Sequence, residues 1–157
     1  MSEAGHTIPT DSRVIRYIKP AQMRRDESST QLSIAVTAFQ VGEHDTGLSV
    51  TWCEYFRGDS GEQVGCAIRS FERSYKPAKT GAFCILTVSQ IFEAGIEANR
   101  NLIVKHTPEC NNKAHAEIVG LDGNTLAQDT LAHLGSSSMV SVEDAKNLPL
   151  SECISNF

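Results

Sequence analysis

Residues 104–120 read VKHTPECNNKAHAEIVG and place His106, Cys110 and His115 within ten residues around a Pro-Glu-Cys-Asn-Asn turn. Imidazole and thiolate both ligate zinc, but a structural zinc takes four protein ligands and a catalytic zinc takes three plus an open position. The three local groups match no common zinc knuckle. A distant Cys53, Cys66, Cys84 or Glu54 would have to complete a closed structural site. The plainer reading is a hairpin whose histidine rings hydrogen-bond to the turn backbone, and on that reading no metal and no cofactor is assigned. If 102–106 and 114–119 pair as antiparallel strands, register decides whether the two rings meet. The expectation is that they do, as a polar edge to the core.

Glu54, in LSVTWCEYF at 48–56, is the third chemical candidate. In a fully extended stretch it shares a face with Leu48, Val50, Trp52 and Phe56, where an ionised carboxylate needs a partner. If the strand ends near Trp52 instead, Glu54 simply points to water. Together Glu54, His106 and His115 could form an acid–base cluster, and these three are the candidate catalytic residues.

Other chemistry is poorly represented. The sequence has no GxSxG elbow, no GxxxxGK[ST] loop and no GxGxxG turn, so neither that hydrolase arrangement nor nucleotide binding by those loops is expected. Cys53 and Cys84 could act as nucleophiles only beside a base that lowered the thiol pKa, and inert burial is the better reading for both.

These residues must be positioned by a chain of 157 residues, the size of one domain, with 40% apolar and 21% charged residues. No apolar run approaches the roughly 20 residues that span a bilayer, and MSEAGHTIPT lacks the pattern of a signal peptide. The expectation is a soluble cytoplasmic protein. Five widely spaced cysteines without a CxxC pair predict no disulfide framework. Residues 1–25 hold five basic side chains against Glu3 and Asp11, so the net charge of −5 leaves −8 on the remainder. An acidic body repels phosphate, which argues against a nucleic-acid partner.

Residues 1–12 read as a flexible terminus, 13–135 as one domain and 136–157 as a partly ordered tail. RVIRYI, QLSIAVTAFQV and LSVTWCEYF read as strands, with turns at Pro20 and GEHDTG. Ser60 with Gln63 signals a helix before Pro77, and GAFCILTV reads as a strand covered on both faces, the candidate sheet centre. Ser89 caps a short helix, NLIVKH and AHAEIVGL form a hairpin, and Asn124 or Thr125 caps the last helix. Hairpins interspersed with helices predict an α+β fold, a mostly antiparallel sheet with helices packed on one face.

LSVTWCEYF, IVKHTP and NNKAHAEIVGL, taken together, resemble an uncharacterised family of small bacterial proteins with LSVNW-like, VxHxP and SHAxI segments. Thr51 stands where that pattern has Asn, and Ala114 where it has Ser. The resemblance implies a bacterial cytoplasmic origin and singles out Trp52, Glu54, His106 and His115, but no reaction. With a full core and no complete catalytic set, the expected function is an accessory or protein-interaction module, encoded beside an enzyme or a defence cassette. The partner is then another protein, with no membrane and no nucleic acid. The alternative is a small hydrolase or nuclease-like enzyme built on Glu54, His106 and His115.

Overall fold

The structure of the chain is a computed structural model that describes residues 5–25, 32–43 and 45–150. In chain order the strands and helices are β1 (Arg13–Ile18), β2 (Met23–Arg25), β3 (Leu32–Ile34), β4 (Leu48–Trp52), α1 (Ser60–Glu72), β5 (Ala82–Thr87), α2 (Val88–Glu97), β6 (Ile103–His106), β7 (His115–Val119), α3 (Thr125–Ser136), β8 (Met139–Ser141) and α4 (Val142–Ala145). Six strands form one sheet in the order β6-β7-β4-β1-β5-β8, with every neighbouring pair antiparallel. β2 and β3 pair separately. This is the expected α+β class, with an antiparallel sheet.

The helices cover both faces of that sheet, where the sequence reading placed them on one. Strand alternation is the cause. Val14 and Ile18 of β1 join Leu86, Val104 and Ile118 in a core closed by Ile91 and Ala94 of α2 and Ala127 and Leu131 of α3. Ile15, next to Val14, faces the other way and packs with Phe83 beneath Val64, Ala67 and Ile68 of α1 and Val142 and Ala145 of α4. With both sides apolar, one helical layer would leave the second face in water. β5 is covered on both faces as its composition predicts, but it lies between β1 and β8, and the two middle strands are β4 and β1.

Three local readings shift. The alternating stretch after Leu32 remains a strand only to Ile34 and then winds into a 3₁₀ turn over Val36–Phe39, with Ala38 and Phe39 buried. Its partner runs out, because Pro20 starts a 3₁₀ turn whose last residue, Gln22, immediately precedes β2. The cap of α1 lies one residue early: the Asp59 carboxylate accepts from Glu62 N–H at 2.9 Å, while the Ser60 hydroxyl accepts from Arg13. In α2 the cap is Thr87, which accepts from Gln90 N–H at 3.0 Å.

The first and last described segments are anchored as well. Residues 5–12, read from sequence as a loose terminus, run along β6, where Gly5 N–H donates to His106 O, His106 N–H to His6 O and Ile8 N–H to Val104 O. Ile8 is buried in the core of that side. Of the C-terminal tail, β8 extends the sheet and α4 covers it, while 151–157 fall outside the described residues.

Candidate functional site

The hairpin forms as the sequence predicts, β6 against β7, and the two strands are closed by a tight turn in which Glu109 and Asn112 exchange backbone hydrogen bonds. Its register separates the histidines. His106 stands opposite Ala116, and Ala116 packs in the α2–α3 core. His115 is the neighbour of Ala116 on β7, so its side chain leaves from the other face. The expected meeting of the rings does not occur.

Each ring is nevertheless committed to the turn. His106 Nε2–H donates to Lys113 O at 2.8 Å, and His115 Nδ1–H donates to Thr107 O at 2.8 Å, with Thr107 Oγ1 at 3.0 Å from the same nitrogen. A carbonyl only accepts, which fixes the proton on those nitrogens. One clasp thus lies on each side of the sheet. On its own side His106 packs against Trp52 and Tyr55, with ring centroids 5.3 and 5.6 Å away. The indole Nε1 of Trp52 is buried there with no hydrogen-bond partner among the described residues.

Glu54 joins neither histidine. β4 ends at Trp52, and a 3₁₀ turn over Cys53–Tyr55 swings the carboxylate toward the start of β1. Its Oε1 accepts from Arg13 N–H at 2.6 Å and its Oε2 from Arg13 Nε–H at 2.7 Å. The same guanidinium donates to Ser60 Oγ and Gln63 Oε1, both at 2.8 Å. Glu54 therefore ties β1 and β4 to the first turn of α1, and the three candidate catalytic residues are not brought together. Cys110 is exposed, and among the described residues no group of three or more His, Cys, Asp or Glu side chains is placed to hold a metal ion.

What the structure does build is a cleft where the two central strands part. β1 and β4 pair only at Val14–Trp52 and Ile15–Thr51. Beyond that point Arg16 fills the gap, its Nε–H donating to Ala38 O and its Nη1–H to Ser49 O, each at 2.7 Å. Burial lowers this guanidinium to about 10, against a smaller opposing effect of Cys84. The opening, about 370 Å³, is lined by Arg16, Tyr17, Lys19, Thr51, Tyr75 and His115 among others. A buried relay supports it: Ser70 Oγ–H donates to Asn112 Oδ1 at 2.7 Å, and Asn112 Nδ2–H to Thr51 Oγ1 at 3.0 Å. Of the three candidates only His115 reaches this cleft.

Sequence reasoning missed Arg16 and Asn112. Arg16 had a readable signal, a charge between Val14 and Ile18 on an apolar strand face. Asn112 had none, because Asn is expected in turns whether or not it is buried. The thiols of Cys53 and Cys84 are buried and free, and burial raises both, Cys84 to about 12, which fits inert cysteine. Cys66, on α1, is disulfide-bonded, which the odd number and wide spacing of the cysteines did not foretell. Among the described residues no helix is long and apolar enough to cross a membrane. No known protein family, curated protein or solved structure matches this chain.

Proposed function

We propose that the chain is an accessory, protein-interaction module that binds its partner through the outer surfaces of α2 and α3. The observation that carries this reading is a set of large apolar side chains left in water: Phe92, Ile96 and Leu126 are 45%, 59% and 58% exposed. Phe92 and Ile96 are four residues apart and share one side of α2, opposite the buried Ile91, Ala94 and Gly95. Asn124, the cap of α3, donates to Ala98 O and brings Leu126 to the same end of the pair. Exposed Glu93, Glu97, Asp122 and Asp129 surround them. An apolar patch with an acidic rim suits a partner segment that carries apolar and basic residues.

The acid–base reading gains nothing from the geometry, since Glu54 is held by Arg13 and the histidines face apart. A bacterial cytoplasmic setting belongs to the same proposal and rests on the resemblance of the three strand segments alone. The Cys66 disulfide is the observation that weighs against a reducing compartment.

Affinity capture from native extract with the wild-type chain and an Ile96→Asp/Leu126→Asp variant tests the proposal. A partner retained by the wild type and lost by the folded variant supports it. Recovery of both proteins as free monomers, by light scattering and by capture, counts against it.

A further inference from the structure

The cleft between β1 and β4 lies away from the α2–α3 surface, and its chemistry differs from that of the rest of the molecule. In a chain of net charge −5 it sets, among the described residues, Arg16 and Lys19 against a single carboxylate, Glu109. Arg16 spends Nε and Nη1 on two carbonyl oxygens, and its Nη2 has no acceptor among the described residues. A partly desolvated guanidinium without a counter-ion is costly, and an anion reaching it gains a charge-assisted hydrogen bond.

His115 has the opposite need. With its Nδ1 proton committed to Thr107 O, the ring presents its Nε2 to Glu109 Oε1, 3.8 Å away. In the uncharged ring Nε2 is an acceptor beside the Glu109 carboxylate, a pair of acceptors that a hydroxyl donor fits. Tyr17, Phe71 and Tyr75 form a wall of mutually packed rings, with centroids 5.4 to 5.6 Å apart. The volume, about 370 Å³, falls within the range of small-molecule pockets, on the order of 300–1,000 Å³.

We propose that this cleft binds a small hydroxylated aromatic carboxylate. The carboxylate lies on Arg16 and Lys19, the ring packs against the Tyr17, Phe71 and Tyr75 wall, and the hydroxyl donates toward His115 Nε2. A single negative charge matches the lining, because Glu109 opposes a dianion. The inference is independent of the interaction surface on α2 and α3.

The test is a titration of isotope-labelled full-length protein with para-hydroxybenzoate, followed by NMR shifts, with para-hydroxybenzamide and benzoate as controls. Saturating shifts are expected at Arg16, Ser49, Thr51, Asn112 and His115. The neutral amide should bind about tenfold more weakly or worse, because the charge-assisted contact is gone, and benzoate several-fold more weakly for want of the hydroxyl. A Lys19→Ala/Tyr75→Ala variant changes side chains at the cleft mouth and should lose about tenfold in affinity while remaining folded by circular dichroism. Equal binding of acid and amide, shifts that do not saturate or lie outside the cleft, or undiminished affinity in the variant would overturn the proposal.

Discussion

His106 faces Ala116 across the β6–β7 ladder, and its ring fastens to Lys113 O on one side of the sheet while His115 fastens to Thr107 O on the other. The turn between them is held by two imidazole clasps, with no metal required. Alanine at either position should therefore cost about 1 kcal/mol from the lost hydrogen bond, and more at His106, where ring packing against Trp52 is also lost. Hydrogen exchange should quicken at Asn112 and Thr107. Protein purified without a histidine tag should melt at the same temperature with and without EDTA, and a chelator-induced fall in melting temperature would show that a metal holds the turn after all.

Glu54 accepts from both the backbone N–H and the Nε–H of Arg13, with side chains 27% and 19% exposed. Glu54→Gln should destabilise by about 1–2 kcal/mol, most of the Coulombic gain being reduced by this partial exposure. Arg13→Lys should not preserve the tie, because an ammonium cannot span Glu54, Ser60 and Gln63 at once. Chemical denaturation of the two single variants and the double variant gives the coupling directly, and a coupling near zero would make the pair incidental.

The Asp59 carboxylate is held below its ordinary 3.8, first by the backbone hydrogen bond from Glu62 and then by the Glu62 side chain. A carboxylate depressed in the folded state contributes stability that is present above the unfolded pKa and is lost as pH falls through the folded value. The loss should thus appear below about pH 4. Asp59→Asn, which can still accept from the backbone, should flatten that acid limb. Urea denaturation at neutral pH and near pH 3 checks it, and parallel acid limbs for the two proteins would rule the assignment out.

The three free thiols among the described residues divide by access. Cys110 should alkylate in the native protein within minutes, whereas Cys53 and Cys84, buried with raised thiol pKa values, should alkylate only on unfolding. Cys66 should stay unlabelled in denaturant until a reductant is added. Peptide mass spectrometry reads all four. Labelling of Cys66 without reductant, in protein isolated from its own cell, would restore the reducing compartment.

Much of the fold was legible because its signals are local. Apolar runs marked β5 and β6, Asn124 marked α3, and turn chemistry in 107–114 marked the hairpin. The helices on the second face were half legible: GAFCILTV read as covered on both sides, yet coverage of one strand did not extend to the whole sheet without knowing that Ile15 and Phe83 are neighbours in space. The site was less legible. Which face His115 takes depends on a single step of register against His106, and no residue type encodes that step. The partner of Glu54 lies 41 positions away in Arg13, beyond any spacing rule. The shortened strand after Ile34 failed for a related reason, since alternation reports only one strand of a pair, and Pro20 had already removed the other.

The narrow contact between β1 and β4 gives the sheet a seam. On one side β6, β7 and β4 form a three-stranded panel, and on the other β1, β5 and β8 form a second, with six residue pairs between β1 and β5 against two across the middle. The panels are stitched from outside that line: residues 5–12 leave the far edge at β6 and enter β1, and the Arg13–Glu54 pair closes one end. Arg16, reaching across to Ser49, closes the other. Anything seated on Arg16 would therefore bridge the two panels where the ladder between them is shortest.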